Sequence, residues 1–218
     1  MVETKADRAP ATDASKADTW RAGLVLSLTM LCSGLIYQAT QPALPKLFSE
    51  RLGDGLGVGA AAFAVTAVYL VAGLTQVVSG HLADRYPPKW LYLGSALLQA
   101  PLLALVGWSS GVGLVGAAML AVLFNMASIP AENLLLSQYT PARWRGTAFG
   151  LKFVLSFGVS GLAVPMVSLI RGWTGGFGIL FALLAVSALV VATAASQLPN
   201  DARAKENAAT PEGAAAQS

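Results

Sequence analysis

The sequence predicts an all-α membrane protein whose six transmembrane helices form two three-helix repeats, and three observations lead there. Of its 218 residues, 55% are hydrophobic and only 11% charged. One water-soluble core could not hide that much apolar surface. The apolar residues also fall into runs of about 20, the length that crosses a bilayer as a helix. Finally, the basic residues gather between alternate runs. Eleven of the fourteen lie before the first run, between the second and third, between the fourth and fifth (Lys152 counted there with Arg143 and Arg145), or after the sixth. Only Lys46, Arg51 and Arg171 fall on the other side. The positive-inside bias then places both termini in the cytoplasm, as an even number of crossings requires. The expected location is the cell membrane.

Residues 1–21, rich in Ala, Asp, Thr and Lys, read as a disordered cytoplasmic arm. They lack the short apolar core of a cleavable signal. The bundle occupies 22–198, and an Ala-rich polar tail, also expected to be disordered, covers 199–218. The first span runs from about Gly23 to Ala43, where Pro42 and Pro45 should end the helix for want of an N–H. Lys46 to Val58, with Gly53, Gly55 and Gly57, is expected to be the longest external loop. The second span covers Gly59 to Gly80, and the polar stretch from Gly80 to Lys89 should hold Asp84 and Arg85 in a tight loop at a membrane face. Trp90 and Trp108 bracket the third span as interfacial anchors. Ser109 to Val112 allows only a tight hairpin before the fourth span, Gly113 to Leu136, which contains Pro130. Gln138 to Gly146 forms the second internal loop, and the fifth span, Thr147 to Ile170, carries Pro165. The sixth ends near Leu198. Three-helix units repeated with inverted topology are a common transporter architecture.

The polar residues inside the spans carry what chemistry there is. Tyr37, Gln38 and Gln41 sit on the first span; Asn125, Ser128, Glu132 and Asn133 sit on the fourth. Spacings of three and four put each set on one helical face. Amides in hydrocarbon need partners or water, so both faces should point inward. They either line an aqueous cavity that binds solute through neutral hydrogen bonds or form a structural network between helices. On the second span, Thr66, Tyr69, Gly73, Gln76 and Gly80 recur at three and four, which reads as a packing seam or as solute contact. Glu132 is the only acid inside an expected span, about one turn from the internal end. It is a candidate for proton coupling or for a salt bridge at that face.

Several function classes lose support. Cys32 is the only cysteine and His81 the only histidine, so no intrachain disulfide or metal cluster is expected, and no cofactor. The basic residues are scattered along membrane boundaries, unlike a nucleic-acid patch. Gly158-Val159-Ser160-Gly161 matches the Gly-x-Ser-Gly of rhomboid intramembrane proteases, but no histidine follows on a later helix. A serine without a base is a poor nucleophile.

The stretch Gly80-x-Leu82-Ala83-Asp84-Arg85 resembles the loop signature of the major facilitator superfamily, although Pro87 and Pro88 stand where that pattern continues to a glycine and a basic pair. Tyr139 to Gly150 looks like the loop between the family's tenth and eleventh helices. The resemblance covers about Arg21 to Leu198 and implies the C-terminal six-helix half of a twelve-helix transporter. It implies a central cavity lined by the first and fourth spans, with Tyr37, Gln38, Gln41, Asn125 and Ser128 as solute-binding candidates. It also implies a conformational latch of Gly80, Asp84, Arg85, Glu132, Arg145 and Gly146, with Arg85 able to reach Glu132. The expected partners are the lipid bilayer, a small-molecule solute and a second six-helix half. The expected function is alternating-access transport; a non-transporting membrane scaffold or regulatory protein is the alternative.

Overall fold

A computed structural model describes residues 13–140 and 144–198. These form seven helices: α1 Asp13–Arg51, α2 Gly53–Arg85, α3 Pro88–Trp108, α4 Gly111–Tyr139, α5 Arg145–Gly158, α6 Ser160–Thr174 and α7 Gly178–Ser196. By length and hydropathy they supply six candidate membrane spans, with α5 and α6 together forming the fifth. Residues 1–12 of the expected arm and all of the expected tail lie outside the described residues. Helix α1 starts at Asp13, within the segment read as an arm.

The helix pairings carry an internal symmetry. α1 packs against α5 and α6 as α4 packs against α2; α1 packs against α7 as α4 packs against α3; and α3 packs against α7. Exchanging the first three spans for the last three leaves this pattern unchanged, as two three-helix repeats require. The interior that α1, α3, α4 and α7 share is built of small residues such as Ala39, Ala118, Ala188 and Ala192, each at most 1% exposed. In lipid, helices associate through close packing rather than escape from water, and small side chains permit it. Gly34 shows the limit: a Cβ there would lie 2.8 Å from Ser156 Cα, so α1 and α5 cross almost backbone to backbone.

Several boundaries differ from the sequence expectation. The external loop expected at Lys46 to Val58 shrinks to Leu52, because α1 continues past Pro42 and Pro45 to Arg51 and α2 already begins at Gly53. Tertiary contacts hold that extension. Arg51 donates to the Ser109 carbonyl at 2.7 Å and the Gly107 carbonyl at 2.9 Å, capping orphan acceptors at the end of α3. Glu50 pairs with Lys46 and with Arg171 of α6. Asp84 and Arg85 lie in the last turn of α2 rather than in a loop. The connection narrows to Tyr86 and Pro87 because Pro88 suits the first turn of α3. The fifth span breaks at Val159, and Pro165 removes the N–H that would bond the Gly161 carbonyl just beyond the break.

Burial is uneven. Within the apolar stretch of each span, 17% of α2 and 11% of α5–α6 is buried, against 44–50% for the other four. Phe63, Leu70, Leu74 and Val77 therefore stand outward along one face of α2. Thr66 and Gly73 are exposed too, and nothing lies within 4 Å of a Cβ built on Gly73 or Gly80. The stripe read on the second span is thus not a packing seam among the described residues. Its Tyr69 and Gln76 turn inward instead.

Candidate functional site

α1, α4 and α5 line an open-sided cavity of about 410 Å³, with Gln76 of α2 on its wall. Helical periodicity dictates which residues reach it. α1 contributes Ser33, Tyr37 and Gln38, α4 contributes Asn125, Ser128, Ile129 and Glu132, and α5 contributes Lys152, Phe153, Ser156 and Phe157. Each set repeats at three or four residues and so lies on one face. Two prolines mark the wall as well. Pro42 lacks the N–H that would bond the Gln38 carbonyl, and Pro130 lacks the one for Met126. Both carbonyls belong to cavity residues, on helices that occupy equivalent places in the two repeats.

Of the five solute-binding candidates, Tyr37, Gln38, Asn125 and Ser128 meet at this cavity. Gln41 does not line it; its amide donates to the Tyr37 hydroxyl at 2.7 Å and orients that ring. Ser128 donates to the Asn125 carbonyl at 2.7 Å, and Gln76 reaches the Met126 sulfur at 3.1 Å. Behind the wall lies a second, water-sized space of about 10 Å³, where Tyr37 and Asn125 meet Thr40, Tyr69 and Gln99.

Of the latch candidates, one lines the cavity. Gly80, Asp84, Arg85, Arg145 and Gly146 line no part of the cavity, and all but Gly80 are exposed. Asp84 and Arg85 form no ion pair with any described residue. Glu132 alone joins the site, and the expected contact with Arg85 is replaced. Glu132 Oε1 lies 2.7 Å from Lys152 Nζ, with side-chain exposures of 5% and 10%. Its other oxygen accepts from Tyr92 at 2.9 Å, and Lys152 also donates to Asn133 Oδ1. A carboxylate away from water requires a nearby cation. The short Lys152 to Glu132 approach supplies it, whereas Arg85 points outward.

Lys152 is the residue that sequence reasoning missed, because it was counted with the loop cations although it lies seven positions into α5. The signal was there: one acid in an expected span calls for a base in another. Ser160 sits at the helix break with its hydroxyl on the Phe157 carbonyl, and His81 is exposed on α2. Among the described residues no group of His, Cys, Asp or Glu could hold a metal ion.

Six spans, a three-helix pseudo-repeat and a cavity with polar side chains in its wall between the leading helices of each repeat define a multi-pass membrane protein of transporter architecture. The family model described as Major Facilitator Superfamily matches residues 26–216, and the chain belongs to that superfamily. Among solved structures it is similar to the crystal structure of a Major Facilitator Superfamily transporter, FucP, in the outward conformation. The TM-score is 0.72 at 17% identity, over 91% of this chain and 48% of that one. The chain therefore spans about half the length of that structure. No curated protein matches it.

Proposed function

We propose that this chain forms one six-helix half of an alternating-access transporter for a small solute, bound between this half and a second six-helix unit. The observation that carries the proposal is the set of polar side chains in a largely apolar cavity wall, coupled to two thinly buried spans beside it. Tyr37, Gln38, Asn125 and Ser128 offer neutral hydrogen bonds, and the apolar outer faces of α2 and α5–α6 supply surface for a partner unit. The match to about half of a solved transporter supports the same reading. The sequence's excess of basic residues in alternate connections between spans favours cytoplasmic termini in a cell membrane, and counting Lys152 with α5 leaves that bias intact. Asp84 and Arg85, exposed at the end of α2, would latch against the second unit rather than within this one.

The test is solute flux in membrane vesicles containing this chain and its partner unit, screened with radiolabelled solutes. Gln38→Leu and Asn125→Leu should each reduce flux at least tenfold while the protein remains folded. Flux at the original level in both variants would refute the binding wall and favour a scaffold.

A further inference from the structure

The small space behind the cavity wall contains a polar group that the protein leaves unmatched. Tyr69 enters it from α2, and the Tyr69 hydroxyl is buried with no hydrogen-bond partner among the described residues. The other buried side-chain atom in that position is Arg171 Nε, whose guanidinium is already paired with Glu50. A phenolic hydroxyl can both donate and accept. Stranded away from water it is costly, and buried polar groups nearly always find a partner in the protein or in an ordered water.

Four helices meet at this space, and each brings a polar group with bonding capacity left over. On α1, Thr40 donates to the Ile36 carbonyl at 2.6 Å, which leaves its oxygen able to accept. The Tyr37 hydroxyl accepts from Gln41, which leaves its hydrogen able to donate. On α3, Gln99 directs an amide N–H to the Ala121 carbonyl at 3.4 Å, and its own carbonyl oxygen remains. On α4, Ser128 bonds the main-chain carbonyl of Asn125, while the Asn125 side-chain amide has no partner among the described residues. None of these groups bonds another across the space.

Size and charge decide what fits between them. The space measures about 10 Å³, room for one water and for no larger solute. No acidic or basic side chain lines it, and Glu132 on α4 is matched by Lys152. A bare cation would find no counter-charge there, and uncompensated charge inside a membrane is expensive. A water is neutral and bridges two to four polar partners, which suits a lining that holds both donors and acceptors.

We propose that one ordered water occupies this space, bridges Tyr69 of α2 to Gln99 of α3 and Asn125 of α4, and so fixes the Asn125 amide in the cavity wall. Tyr69 and Gln99 line the small space and not the main cavity, so they are positioning residues for Asn125, which lines both. The water does not depend on what the cavity carries. Only the use of the fixed amide by a solute rests on the proposed transport site.

The test uses the full chain in lipid nanodiscs. Infrared difference spectra between ordinary and heavy-oxygen water should show a narrow O–H stretching band that moves to lower frequency with the isotope. Tyr69→Phe and Asn125→Leu should each remove or displace it. No such band, or a band that both variants leave unchanged, overturns the proposal. Thermal unfolding gives a second reading, because the two cases have opposite signs. Where a water satisfies the hydroxyl, Tyr69→Phe lowers Tm by roughly 2–4 °C, as one lost hydrogen bond does in a chain of this length. Where the space is dry, the same change deletes a stranded group and raises Tm, and a rise overturns the proposal. A Tm that increases with sodium chloride but not with choline chloride would put a cation in place of the water and overturn it too. Positioning is read from the N–H order of the Asn125 side chain by solid-state NMR on isotope-labelled asparagine. It should be rigid in the original protein and mobile in Tyr69→Phe and Gln99→Leu; equal order in all three overturns the positioning role. Unchanged flux in Gln38→Leu and Asn125→Leu would sink the solute site yet leave the infrared band and the sign of the Tm shift as they are.

Discussion

Replacing Gly34 by alanine should destabilise this protein, although alanine is the better helix former. In an open helical position Gly→Ala gains roughly 0.5–1 kcal/mol from reduced chain entropy. At Gly34 the new Cβ would meet Ser156 Cα at 2.8 Å and Ser156 O at 2.9 Å, both backbone atoms that no rotamer change can move. Ordinary contact begins near 3.4 Å, so the helices must part by about 0.5–1 Å, an overpacking that costs roughly 1–3 kcal/mol. The thinly buried α5 yields rather than α1, which packs against five other helices. Lys152 lies one turn from Ser156 and would be drawn from Glu132, lengthening a 2.7 Å pair. The net loss is about 0–2 kcal/mol, and more if the ion pair opens. The control is Gly73→Ala, where a Cβ meets nothing within 4 Å. Thermal unfolding in nanodiscs, followed by tryptophan fluorescence, should show a lower Tm for Gly34→Ala and an equal or higher Tm for Gly73→Ala. Equal shifts of the same sign at both positions would refute the close crossing.

Two further outcomes follow from buried polar contacts. Removing one partner of a buried ion pair costs about 3–5 kcal/mol, whereas replacing both with neutral residues costs far less. Glu132→Gln and Lys152→Met should thus each lower Tm by several degrees and the double variant by much less than their sum; additive losses would mean the pair is not coupled. Arg51→Ala removes two charge-assisted bonds, to Gly107 O and Ser109 O, and should cost about 1–3 kcal/mol. The α1–α2 connection at Leu52 should then become more susceptible to protease, and unchanged cleavage there would count against Arg51 as the clamp.

Much of the bundle was legible in the chain. Six apolar runs, tryptophans at both ends of α3 and amides on the first and fourth spans pointed to the observed architecture and to the α1 and α4 sides of the cavity, but not to the α5 side that Lys152, Phe153, Ser156 and Phe157 form. Helix ends were less legible. Pro42 and Pro45 read as a terminus, yet α1 runs on to Arg51, because contacts from α3 and α6 hold the turn that local propensity would release. Gln41 shared a helical face with Gln38 in projection, but one further turn carries it beyond the cavity and onto Tyr37.

By itself the sequence determined the solvent of these helices and which faces carry polar groups. Hydropathy and three-to-four spacing are local properties that each helix expresses whatever it packs against. Only the tertiary structure decided the partners: Lys152 rather than Arg85 for Glu132, Tyr37 for Gln41, and a near-contact of backbones at Gly34. Such pairings depend on how separate helices are rotated and staggered, and distances of 2.7 to 2.8 Å arise only once packing has set both.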